Sequence, residues 1–143
     1  MGALLFVDDE IENVSGLAEM IAEAFDREVT VVGTVEEAVE NLHEHAYDAV
    51  VMDLFIPLGD HPHRVLGPRA RRYQEQVDHL GGLVLLEELD RLPEASRPTV
   101  ISHTACTDHV LLEIFGDRVH CRVPKPAPYD MLFFALLEIL PDD

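Results

Sequence analysis

Along this 143-residue chain, short apolar runs alternate with longer segments of helical spacing. LLFV at 4–7 ends in three acids and predicts a buried strand with a polar end. Val14, Leu17, Ala18, Ile21, Ala22 and Phe25 then recur at the spacing of one helix face. EVTVV at 28–32 reads as a second strand. Thr34 and Glu37 form a T-x-x-E capping box ahead of Ala38, Val39 and Leu42. DAVVMD at 48–53 is a third strand and again ends in an acid. Beyond a long irregular stretch, LVLLEEL (83–89) predicts a helix, TVIS (99–102) a strand and VLLEIF (110–115) a helix. VHCRV (119–123) predicts the last strand and MLFFALLEIL (131–140) the last helix.

The strands are continuous apolar runs, not in-and-out alternations, and they alternate with five helices. This order predicts an α/β fold with a parallel five-stranded sheet covered on both faces, in a single domain over 1–143. In such sheets a site forms beyond the carboxyl ends of the strands, where strand order reverses. Asp8, Asp9 and Glu10 follow the first strand and Asp53 ends the third. Ser102 and Thr104 follow the fourth, and Lys125 follows the fifth.

Charge narrows the chemistry. With 28 Asp and Glu against 10 Lys and Arg, the net charge is −18. Nucleic acid is excluded as a direct partner, because only GPRARR at 67–72 is locally basic. A bound cation, or a partner with a basic face, fits better. No apolar run is long enough for a membrane span, and MGALLFVDDE lacks the basic flank of a signal peptide. Cys106 and Cys121 suggest reduced thiols in a cytoplasm.

Three carboxylates at one sheet edge repel each other unless a counter-charge is present. Magnesium, with oxygen ligands and retained waters, suits an open acidic pocket. Lys125, the only lysine of the chain, would add a second positive charge, and Thr104 a hydroxyl donor. Together they would stabilise a phosphoryl group carried on one carboxylate.

FVDDE (6–10), VVMDLFIP (50–57), VISHTA (100–105) and VPKP (123–126) resemble, in order and in register, the receiver domains of two-component response regulators. That resemblance implies a flavodoxin-like (βα)5 doubly wound sandwich with strand order 2-1-3-4-5. Asp53 would accept a phosphoryl group from a sensor histidine kinase or histidine phosphotransfer protein. Asp9, Asp53 and the Phe55 backbone carbonyl would hold Mg2+, supported by Asp8. Lys125 would pair with Asp53 or its phosphoryl oxygens, and Thr104 would act as the switch hydroxyl. Pro126 would follow a cis peptide bond. The chain would be a stand-alone signalling phosphoprotein, monomer or homodimer, that acts on no separate substrate but catalyses its own phosphorylation and dephosphorylation.

Two departures stand out. The resemblance calls for an aromatic residue three positions before the lysine, where this chain has Arg122. The glycine expected soon after the phosphoacceptor is best matched by Gly82, which leaves an insert at about 58–80. The insert contains Arg64, Arg69, Arg71 and Arg72, and Tyr73, Val77 and Leu80 predict a short extra helix within it. Asp60, His61 and His63 also admit a metal-site reading. The remaining histidines, His43, His45, His79, His103, His109 and His120, read as surface residues. The alternative function is a phosphorylation-independent adaptor that binds partners through the insert and Arg122. An aspartate-nucleophile phosphatase ranks last, because its D-x-D motif would need an acid where Phe55 stands.

Overall fold

A computed structural model describes residues 3–77, 80–106, 108–116, 118–125 and 129–140. Strands β1 (Ala3–Val7), β2 (Glu28–Val32), β3 (Ala49–Met52), β4 (Thr99–Thr104) and β5 (Cys121–Pro124) form one parallel sheet in the order β2-β1-β3-β4-β5. Helices α1 (Ile11–Phe25) and α2 (Val35–Glu44) follow the first two strands. Between β3 and β4 lie α3 (His63–Leu66), α4 (Arg69–Val77) and α5 (Gly81–Asp90). Helices α6 (His109–Gly116) and α7 (Tyr129–Ile139) complete the fold. The expected order 2-1-3-4-5 is the observed one, and the inner strands β1 and β3 are buried almost throughout.

Alternate residues of the strands feed two cores. Leu5, Val7, Val50, Met52 and Val100 pack with α2 and α5, while Leu4, Phe6, Val51 and Ile101 pack with α1 and α7. Each inner strand therefore needs apolar side chains at every position, which is why its sequence shows no alternation. Strand β4 runs to Thr104, so Ser102 and Thr104 lie within it and do not follow it.

The insert is a packed part of the fold. It leaves and returns at one point: Ile56 O accepts the Gly81 N–H at 3.0 Å and Leu54 O accepts that of Gly82 at 2.9 Å. A Cβ on Gly82 would lie 2.6 Å from the Leu54 Cα and 2.8 Å from the Asp53 carbonyl, so only glycine allows this approach. Helix α2 begins with orphan N–H groups like any helix. Here Pro57 O takes the Val35 N–H, Leu58 O takes that of Glu36, and the Thr34 hydroxyl takes that of Glu37. The predicted capping residue is thus in place, and the start of the insert completes the cap. Two helices form where the spacing predicted one; α3 is a single turn, and Tyr73 and Leu80 sit in α4 and at the start of α5.

Leu58, Leu66, Ala70 and Tyr73 are buried in the same core as Leu85, Leu86 and Leu89. A polar clasp fixes α4 to α5. Glu88, 6% exposed, takes two bonds from the Arg69 guanidinium at 2.8 and 3.1 Å and one from the Tyr73 hydroxyl at 2.8 Å. Arg91 pairs with the same carboxylate at 3.3 Å. Burial alone would push the Glu88 carboxyl up, but the bonds from Arg69 and Tyr73 and the two arginine charges hold it below its ordinary value. Burial and the neighbouring Glu87 and Glu88 push the Tyr73 hydroxyl up to about 12.

Because the Glu88 pKa is depressed in the folded state, the clasp contributes stability above the ordinary carboxylate pKa and loses it as pH falls through the lowered value. Arg69→Met leaves Tyr73 and Arg91 on a buried charge and is expected to cost about 2–3 kcal/mol at pH 7, less than a fully orphaned ion. Urea unfolding at an unchanged m-value measures this loss, and the variant should lose less than the wild type on acidification to below pH ~4.

Candidate functional site

The register places the expected residues level with one another at the carboxyl edge of the sheet. Val7 pairs with Met52, so Asp8 and Asp53 lie side by side; Asp53 N–H bonds to Val7 O at 3.0 Å and Asp8 N–H to Val32 O at 3.0 Å. On the other side Thr104 pairs with Pro124, and the Lys125 N–H bonds to Thr104 O at 3.1 Å. This is the point where the strand order reverses between β1 and β3.

Lys125 joins the two buried aspartates. Its ammonium donates to Asp53 Oδ2 at 3.0 Å and to Asp8 Oδ2. The other oxygen of each carboxylate accepts the N–H two residues along, Glu10 for Asp8 at 2.9 Å and Phe55 for Asp53 at 3.2 Å. Both side chains are therefore oriented by their own turns before the lysine reaches them. Burial alone would depress the lysine, yet the hydrogen bonds and charges of Asp8 and Asp53 raise it above its ordinary value. A compact ammonium with three donors serves both carboxylates from one point.

Asp9 is exposed at the same edge, and its carboxyl is pushed up by partial burial and by the charges of Asp8 and Asp53. Three acids face one ammonium, so negative charge remains unmet. Among the described residues no three His, Cys, Asp or Glu side chains form a ready-made metal cage, either here or around His61 and His63. An open set of carboxylate oxygens with excess negative charge suits a hard cation that keeps several waters, which is the requirement of Mg2+. Phe55 is flanked by Leu54 and Ile56, whose carbonyls are held by Gly82 and Gly81, so its own backbone is fixed beside Asp53.

Thr104 is buried, and its hydroxyl oxygen accepts the Cys106 N–H at 3.3 Å, a bond that closes the turn after β4. Arg122 is exposed on edge strand β5. Pro126, with its expected cis bond, lies outside the described residues. His103 corrects its reading as a surface residue: it is half-buried, and burial and the Lys125 charge push its imidazole below the ordinary value. Its position immediately before Thr104, inside a strand pointed at the acidic edge, was the available signal. The Glu88 clasp was not visible in the sequence, because Arg69 and Glu88 are 19 residues apart on different helices.

A carboxyl raised above its unfolded value costs stability as pH rises through it. Asp9→Asn is therefore expected to raise the thermal midpoint at pH 7 in the presence of a chelator, with the advantage fading near pH 3. Added Mg2+ should stabilise the wild type more than the variant, as read by circular dichroism melting.

No family model and no curated protein matches the sequence. Solved structures do. The receiver domain of a sensor histidine kinase from Pseudomonas aeruginosa, determined with a magnesium ion coordinated in its active-site cleft, aligns with a TM-score of 0.70 at 19% identity over 96% of each chain. The BeF3-activated N-terminal receiver domain of RstA from Klebsiella pneumoniae gives 0.70 at 15% identity, over 98% of this chain and 99% of that one. A two-component response regulator from Clostridium difficile gives 0.72 at 14%, over 97% and 95%. Over nearly its whole length, this chain has the fold of the response-regulator receiver domains.

Proposed function

We propose that this chain is the phosphoacceptor receiver of a two-component or phosphorelay system, phosphorylated on Asp53. The observation that supports it best is Lys125 bridging Asp8 and Asp53 at the strand-order reversal, with Asp9 and a fixed Phe55 backbone alongside. The similar receiver domain from Pseudomonas aeruginosa was determined with a magnesium ion coordinated in its own active-site cleft, which supports this reading. Here Asp9, Asp53 and the Phe55 carbonyl would hold Mg2+, with Asp8 in support; when bound, it would neutralise phosphoryl oxygens and the clustered carboxylates.

In the phosphorylation step an Asp53 carboxylate oxygen forms a bond to the phosphorus of a phosphohistidine on a sensor kinase or phosphotransfer protein. The phosphorus–nitrogen bond breaks, and its electron pair returns to the donor imidazole, which takes up a proton. Lys125 moves from the carboxylate to the developing phosphoryl oxygens, a short shift for a charge already 3.0 Å from Asp53. Thr104 exchanges its bond with the Cys106 N–H for one to the phosphoryl group and so alters the loop leading into α6. Arg122, exposed where an aromatic switch would turn inward, leaves the output to this loop and to partner contacts. The free thiols of Cys106 and Cys121 are consistent with a cytoplasmic setting.

Incubation with Mg2+ and acetyl phosphate, followed by intact mass, tests the reading. An adduct of about 80 Da, one phosphate group, is expected and should be lost in Asp53→Asn and in samples treated with chelator. An unmodified wild type beside a labelled control receiver would assign the chain to the adaptor alternative.

A further inference from the structure

The insert builds a surface as well as a buried clasp. Between α4, α5 and α6 lies a groove of about 430 Å3 lined by Arg72, Tyr73, Leu83, Val84, Glu87, Ile114 and Arg118. Its floor is apolar: Val84 and the Tyr73 ring are buried, Leu83 is half-buried, and Ile114 is 49% exposed. Arginines stand at the walls. Arg72 lies over the Tyr73 ring at 5.4 Å and reaches Glu87 at 3.7 Å, and Arg118 pairs with Asp90.

The charge lining this groove departs from that of the whole chain. In a chain of net charge −18, Arg72 and Arg118 line it against one acid, Glu87, while Arg69 and Arg71 on α4 and Arg91 and Arg97 after α5 belong to the elements that adjoin it. An acidic partner repelled by most of this strongly acidic chain finds its cations here. The Arg72–Glu87 pair is long and solvated, so exchanging Glu87 for an incoming carboxylate costs little.

We infer that this groove docks a partner segment folded as an acidic amphipathic helix. Its apolar side chains, one turn apart, would sit on Leu83, Val84 and Ile114, and its carboxylates would meet Arg72 and Arg118. This does not depend on phosphorylation of Asp53.

The test is NMR titration of the isotope-labelled full chain with a synthetic amphipathic helical peptide of Leu and Glu, and with its Leu and Lys counterpart. The Glu peptide is expected to shift Leu83, Val84 and Ile114 saturably, and the Lys peptide is not. Arg72→Glu combined with Arg118→Glu should weaken binding about tenfold or more. Both side chains are partly exposed, so the fold should survive; circular dichroism checks this, and Arg72→Gln alone should weaken binding in the same direction. Asp53→Asn should bind as the wild type does, which separates this inference from the phosphorylation reading. Absence of shifts at the groove, equal response to both peptides, or unchanged affinity after charge reversal overturns the inference. So does self-association of the chain through these residues in sedimentation, which would give the groove to a second copy.

Discussion

Everything at the carboxyl edge of the sheet follows from placing three carboxylates beside one ammonium. Asp8 and Asp53 are buried side by side because the β1–β3 register leaves no alternative. Their proximity is tolerated because Lys125 donates to both and because each aspartate spends its other oxygen on its own turn. The remaining charge falls on Asp9, whose carboxyl is raised first by partial burial and then by the charges of Asp8 and Asp53. A cation bound here would relieve that repulsion and would also offset the further negative charge of a phosphoryl group on Asp53. The stability given up at this edge and the proposed chemistry share one physical origin.

The long excursion between β3 and α5 does not disturb that edge, because it closes on itself before it spreads. The bonds from Gly81 and Gly82 to Ile56 and Leu54 keep the segment after Asp53 in place whatever the intervening chain does. The excursion then serves the fold: its first carbonyls cap α2, its apolar residues extend the core, and its arginine and tyrosine satisfy a buried glutamate. A loop of this length without such anchors would be expected to stay solvated. The clasp also determines where α4 rests, and therefore creates the groove against α6.

Much of the fold could be read directly from the chain. Continuous apolar strands, helical spacing and acids at strand ends depend on local periodicity and on burial of both sheet faces, which a sequence displays without knowledge of contacts. The strand order was legible only through the resemblance to receiver domains; the alignment of Asp8, Asp9, Asp53, Thr104 and Lys125 was legible because each lies at or just past a strand end, and parallel strands carry their ends to one edge. Gly82 was matched across the insert through the resemblance, and the structure supplies its reason: Asp53 and Leu54 leave no room for a side chain there.

Long-range pairing was not legible. Only the folded chain brings Arg69 and Tyr73 onto Glu88, half-buries His103 within the charge of Lys125, and places Pro57 and Leu58 at the first turn of α2. The sequence by itself determined which residues reach the acidic edge, because local periodicity and strand ends are one-dimensional properties. The tertiary structure decided what the insert does, because a buried ion pair and a groove between helices depend on distances that no local pattern encodes.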